Sequence, residues 1–293
     1  MAIGRQETTS PMPYPKVRRM RFRFGEPEPM AHQFVQGDIP LTHLIAVLSG
    51  AFPPGEESFI RSVRKFSGDL TDPVLKKRVA GFIGQEAVHG QQHRRLNDQL
   101  IANGFPIVRL FTFGPGAARE RGVIAVENLV PRQVHLAFTA AAEHYTATLA
   151  KRVLGTQEIQ DIPGDPEVWN LLNWHAFEEL EHKSVAFDVY RAAGGQEAVR
   201  IGVMAGMYVL TLPVVSLGVF ASILSDPRSW RPLKVARQSI RLARGPIVKG
   251  LLAEMRPYMR PGFHPDDIDT ETLLEQWRRE LFGADGELLD RLG

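Results

Sequence analysis

Beyond about residue 40 the sequence predicts an all-α protein, a four-helix bundle with additional C-terminal helices. Three observations carry this. Apolar residues recur at spacings of three and four through most of the chain. No strand-like alternation follows residue 25. Two Glu-x-x-His pairs sit inside apolar stripes, where a carboxylate is costly unless it is paired or holds a metal. The 293 residues, 44% hydrophobic and 23% charged, are enough to bury a large core. With 35 Lys+Arg against 33 Asp+Glu, the charge is too balanced to call for nucleic acid as a partner. There are no cysteines, which excludes disulfides, thiolate metal sites, Fe–S clusters and a Cys nucleophile. Any metal must be held by His, Asp and Glu.

Residues 1–40 form a Pro- and Arg-rich basic arm in which Val17 to Phe24 (VRRMRFRF) reads as a short strand or an extended segment. A short apolar helix at 41–51 stops at Pro53-Pro54, and a second occupies 56–67. Longer helices follow at 73–103, 119–153 and 166–192, and the bundle is placed at 41–192. Residues 193–293 hold an apolar helix at 197–224 and further helices at 230–256 and 270–282. Gly104-Phe105-Pro106, Gly114-Pro115-Gly116, Gly155 to Gly164 and Gly194-Gly195 mark the loops. No phosphate-binding or nucleophile-elbow motif is present.

The candidate chemistry lies on four helices. One stripe reads Leu75, Val79, Phe82, Glu86, His89, His93, Leu96, Leu100, and a second reads Val168, Leu172, His175, Glu179, His182, Ala186, Val189. Glu86-x-x-His89 and Glu179-x-x-His182 make half of a carboxylate-bridged dinuclear metal site, and the remaining two helices should each add a Glu. Glu56 shares a face with Phe59, Ile60 and Val63, whereas Glu57 lines up with Arg61, Arg64 and Lys65, so Glu56 points inward. Glu143 lies on a stripe with Leu136, Ala140, Ala147 and Ala150. His175, one turn before Glu179, is either a ligand or a donor that orients a carboxylate. His93 is expected to support the site or the core, Glu178 and Glu181 to support it or face solvent, and His144 to be structural. The predicted metal ligands are Glu56, Glu86, His89, Glu143, His175, Glu179 and His182; all of these except His175 are the catalytic candidates.

Phe52 to Phe59 (FPPGEESF), Phe82 to His93 (FIGQEAVHGQQH), Ala141 to Ala147 (AAEHYTA), Trp174 to Tyr190 (WHAFEELEHKSVAFDVY) and Pro261 to Asp267 (PGFHPDD) resemble the bacterial family of predicted metal-dependent hydrolases. The resemblance runs from about residue 15 to 280 and implies a ferritin-like bundle. The ligand pattern is also similar to that of the di-iron arylamine N-oxygenases, which implies two irons held by Glu56; Glu86 and His89; Glu143; and His175, Glu179 and His182. Two metal ions are therefore expected, iron ahead of manganese or zinc. The favoured reaction is activation of O2 to oxidise a small organic substrate. The alternatives are hydrolysis by a metal-bound water and a non-enzymatic metal-binding or membrane-associated role.

No secretory h-region is seen near the N-terminus, so a cytoplasmic protein is expected. Against that, Ile201 to Ser225 is 25 residues without a charge, long enough to span a bilayer although interrupted by Pro213. Asp226 to Arg260 then holds nine basic and two acidic residues, which suits an anionic leaflet. Membrane contact through 201–225, an apolar substrate and a homodimer are the partner expectations.

Overall fold

A computed structural model describes residues 14–112 and 117–293; the loop expected at Gly114-Pro115-Gly116 lies outside them, as does the start of the arm. The chain is all-helical, and among the described residues the only β pairing is an isolated bridge between Met20 and Leu292. Residues 14–24 run extended. Arg18, Met20, Phe22 and Phe24 point inward, while Val17, Arg19, Arg21 and Arg23 face out, the alternation expected of this segment.

Among the described residues eleven α-helices follow. They are α1 (Ile39–Arg64), α2 (Pro73–Ala102), α3 (Ala118–Leu129), α4 (Arg132–Gly155), α5 (Gln157–Gln160), α6 (Pro166–His182), α7 (Val185–Ala192), α8 (Glu197–Leu224), α9 (Pro232–Arg244), α10 (Leu251–Met255) and α11 (Glu271–Phe282). Three site-bearing helices start alike, with a proline in the first turn and a capping aspartate. Asp38 accepts from Leu41 N, Asp72 from Val74 N, and Asp165 from Glu167 N and Val168 N.

The expected break at Pro53-Pro54 does not occur, and α1 runs through it as one helix. Pro53 has no N–H to offer the Ser49 carbonyl, and Asn97 Nδ2 of α2 donates to that carbonyl instead at 3.0 Å. The single helix expected at 119–153 is divided at Pro131, because the residue before a proline, Val130, is held extended (φ −83°, ψ 133°). The helix expected at 166–192 turns at Lys183-Ser184. Arg78 of α2 there donates to Ser184 Oγ and Asp188 Oδ2, anchoring α7 on α2. The helix expected at 230–256 ends at Arg244, before Gly245-Pro246.

α1 packs along α2 and α4 along α6, while α1 also meets α4 and α2 meets α6. The apolar core falls into two clusters, and on each of these helices the polar site residues lie between them. α1 gives Ile45 and Ala46 to one cluster and Val63 to the other, with Glu56 between. α2 gives Leu96 and Leu100, then Phe82, with Glu86 and His89 between. α4 gives Ala147 and Ala150, then Leu136 and Ala140, with Glu143 between. Past Leu171 and Trp174, α6 places Glu179 and His182 before α7 enters the second cluster at Val185. Two apolar layers thus clamp a polar one, each fully buried Leu or Phe contributing about 1.5–3 kcal/mol.

α8 lies on α1 and α4, and α9 on α1. The buried ring of His43 pins this arrangement, with Nδ1 2.7 Å from Ser222 Oγ and Nε2 2.9 Å from Ser229 Oγ.

Candidate metal centre

All seven predicted ligands are buried and meet in the polar layer. Their donor atoms, together with those of His93, which was not among the predicted ligands, fall into four overlapping groups, each within 4.8 Å: Glu56, Glu86 and His89; His89, His175 and Glu179; Glu56, His93 and His175; and Glu86, Glu143 and His182.

Hydrogen bonds on the far side of each imidazole fix which nitrogen faces the centre. Gln85 Nε2 donates to Lys16 O (3.2 Å) and Glu181 Oε2 (2.9 Å), so its Oε1 accepts from His182 Nδ1 at 2.9 Å. His182 Nε2 then lies 3.1 Å from Glu86 Oε1, 3.3 Å from Glu143 Oε2 and 3.6 Å from Glu179 Oε1. His89 Nε2 donates to Glu178 Oε2 at 3.1 Å, turning Nδ1 toward Glu179 Oε1 (3.7 Å) and Glu86 Oε1 (3.9 Å). The third case is a relay. Ser49 Oγ donates to Asn97 Oδ1 (2.8 Å) and so must accept from His93 Nδ1 (2.9 Å). His93 Nε2 is then the acceptor for His175 Nδ1 at 2.8 Å, leaving the lone pair of His175 Nε2 aimed at Glu179 Oε1 (2.9 Å) and Glu56 Oε1 (3.7 Å).

Imidazole lone pairs and carboxylate oxygens therefore face one another across the centre, an arrangement that is stable only with positive charge between them. Both oxygens of Glu56, Glu86 and Glu143, Oε2 of Glu179, Nδ1 of His89 and Nε2 of His182 are buried without a hydrogen-bond partner. The electrostatics agree. Burial pushes Glu56 and Glu86 well above the usual carboxylate range, and neighbouring carboxylates add to it. Burial and Glu179 raise Glu143 to about 7. Burial also raises Glu179, but His182 and His175 more than offset it and hold it well below the normal value. His182 is disfavoured as a cation by burial, yet Glu179, Glu143 and Glu86 draw it well above the normal imidazole value. The donor set, carboxylate oxygen and imidazole nitrogen, suits divalent first-row metals. Glu86 and Glu179 lie between the His182 side and the His89–His175 side, the positions from which a carboxylate can bridge.

Several supporting residues were not singled out in the sequence. Glu178, expected either to support the site or to face solvent, is fully buried. It takes the His89 proton on one oxygen and Arg18 of the N-terminal arm on the other at 2.8 Å. Arg18 also pairs with Glu181 (2.7 Å) and lies over the rings of Phe177 and Phe282 at 4.9 and 4.8 Å. The basic alternation of the arm was visible, but nothing local ties Arg18 to Glu178. Ser49, Gln85 and Asn97 are small polar residues on apolar faces, the one signal that could have found them. His93 takes the supporting place, and His144 packs against Tyr258 and Phe263 away from the centre. Glu57 pairs with Arg94 and Arg61 near the surface.

No curated protein and no solved structure matches the chain. A family model described as "Predicted metal-dependent hydrolase" matches residues 16–269, which takes in the arm from residue 16, all four ligand-bearing helices and the C-terminal helices up to Asp269. The chain belongs to this family of predicted metal-dependent hydrolases.

Proposed function

We propose that the chain is a dinuclear metal enzyme whose resident ions are two irons, and that it oxidises a small apolar substrate with O2. The observation that carries this reading is the convergence of the Glu56, Glu86, Glu143 and Glu179 carboxylates on the ring nitrogens of His89, His175 and His182, with most of these donor atoms buried and without a hydrogen-bond partner. Glu86, Glu143 and His182 would hold one ion, and Glu56, His89, His175 and Glu179 the other. Four buried carboxylates balance two divalent cations, which removes the cost of burying like charges together. Ions of this kind supply the redox chemistry toward O2 when bound, and the protein supplies position and exclusion of water.

The surroundings favour oxidation. The cavity that reaches His175 and Glu179 has a volume of about 120 Å³ and is lined mostly by Leu, Ile, Val and Ala. Such a wall admits O2 and hydrocarbon and offers little to hold a file of water. Phe52 closes the cavity against His93 and His175, its ring centroid 4.8 Å from each. The family description favours a second reading, in which the same residues hold ions that lower the pKa of a bound water for hydrolysis.

The test is oxygen uptake by protein loaded anaerobically with Fe(II). O2 consumption in proportion to bound iron, absent in Glu86→Ala, is the expected result. Iron-loaded protein inert to O2, together with ester or phosphoester cleavage by the zinc- or manganese-loaded form, would replace oxidation with hydrolysis.

A further inference from the structure

α8 is fixed to α1 and α4 by one face only. Met204, Ser222 and Ile223 are buried there, and Arg200, fully buried, donates to Arg260 O at 2.9 Å and pairs with Glu197 at 2.8 Å. Its opposite face carries Val209, Leu210, Val214, Leu217, Phe220 and Leu224, all more than half exposed, and no charge. Running from Val209 to Leu224, at about 1.5 Å per residue, this face is roughly 24 Å long, larger than the scattered apolar residues of an ordinary surface. Because its inner face is bonded to α1 and α4, α8 cannot cross a bilayer without taking them with it. The face is placed to lie in the plane of a membrane instead.

α9 supplies the charge. At about 100° per residue, Val235, Gln238 and Leu242 face the protein, and the outer side divides in two. Leu233 (77% exposed), Ala236, Ile240 (54%) and Ala243 form an apolar stripe, and Lys234, Arg237, Arg241 and Arg244 form a basic stripe beside it. Trp230, 65% exposed, stands where α8 passes to α9. An apolar stripe bordered by cations, with an exposed indole at its end, is the pattern of a helix seated among anionic headgroups.

Behind this face lies a cavity of about 560 Å³ between α1, α4, α8 and α9, lined by Leu44, Tyr145, Leu212, Val215, Val219 and Leu242 among others. It reaches the exposed face at Phe220, and it shares Leu48, Phe52 and Thr146 with the smaller cavity that touches His175 and Glu179. Two adjoining apolar cavities thus lie between the outer face and the metal centre.

We propose that the α8–α9 face docks on an anionic lipid bilayer, and that the cavity behind it takes the hydrocarbon chain of a membrane lipid toward the metal centre. The assignment of that chain as substrate rests on the function proposed above; the docking does not.

The experiment is sedimentation of the full-length protein with phosphatidylcholine vesicles, with and without phosphatidylglycerol, at low and high salt. Alongside it, the fluorescent fatty acid cis-parinaric acid is titrated as a probe of the cavity. Binding about tenfold or more tighter to the anionic vesicles is expected, weakened by salt but not abolished, with a blue shift of Trp230 emission. Leu217→Glu and, separately, Arg237→Glu/Arg244→Glu should each reduce binding about tenfold. Val215→Trp and Val219→Trp, on the inner side of α8, should block parinaric acid while leaving vesicle binding in place. Two results overturn docking. One is no preference for anionic vesicles; the other is a dimer that Leu217→Glu dissociates in protein that ignores vesicles, which would make a second copy the occupant. Saturable vesicle binding without parinaric acid binding overturns the cavity assignment. Glu86→Ala separates the two readings: it should bind vesicles like the parent protein, so lost metal with intact docking tells against neither half of this proposal.

Discussion

Arg18→Met removes the guanidinium that pairs with the buried carboxylate behind His89, while its stem still fills the space between Phe177 and Phe282. Glu178 is fully buried, and burial pushes it up to about 7 even with Arg18 and its hydrogen bonds pulling it down. Above pH 7 it is ionised, so without Arg18 the fold must either bury a bare carboxylate or protonate it. Breaking a buried ion pair in this way costs about 3–5 kcal/mol, a large part of the about 5–15 kcal/mol that holds a domain folded. The same change loosens the group that holds His89 in the tautomer with Nδ1 toward the centre, and losing such support lowers metal affinity about 10- to 100-fold. Urea unfolding at pH 8 on metal-free protein measures the first effect, and competition against a chelator the second. Arg18→Met combined with Glu178→Gln leaves Glu181, which still accepts from Gln85 at 2.9 Å, as the carboxylate without its cation and should recover about 2 kcal/mol. A loss below about 1 kcal/mol in the single variant, or no recovery in the double, would refute the claim that the arm neutralises the site's outer carboxylate.

Other consequences are open to equally direct checks. Burial holds His43 down to about 4, against the pull of Asp226, so the unfolded chain binds its proton first. Its contribution is complete above about pH 6.5 and is lost as pH falls toward 4, up to about 3 kcal/mol; acid unfolding of His43→Gln should show a weaker pH dependence in that window. Asn97→Ala leaves the Ser49 carbonyl at the proline step of α1 without a donor and should cost about 1–3 kcal/mol in thermal unfolding. A Cβ at Gly81 would lie 2.4 Å from the Pro15 carbonyl oxygen. Gly81→Ala should therefore lift the arm, speed tryptic cleavage at Arg19 and Arg21, and destabilise by about 1–3 kcal/mol.

The parts of the site that were legible in the sequence are those written in helical spacing. Glu86 and His89, or Glu179 and His182, share a face because three residues make nearly one turn, and the apolar residues around them show that the face is inward. Glu56 was separable from Glu57 on the same ground. Contacts set by tertiary structure left no such trace. Arg18 and Glu178 are 160 residues apart and meet only because the arm lies along α6. The continuity of α1 through Pro53-Pro54 depends on a side chain from another helix, so local propensity alone predicted a stop. The apolar run at 201–225 was plain, but composition could not tell a buried helix from one with a bare outer face. That distinction needed the one-sided packing of α8 on α1 and α4.

The central claim is that the polar layer is a two-metal site, and metal content per chain tests it most directly. Protein produced with iron, manganese and zinc all available, and its Glu86→Ala variant, would be quantified by elemental analysis. The account predicts two ions per chain, iron foremost, and their loss in the variant, because Glu86 lies between the two halves of the site. A parent protein without bound metal, or a variant that keeps its full complement, would contradict it.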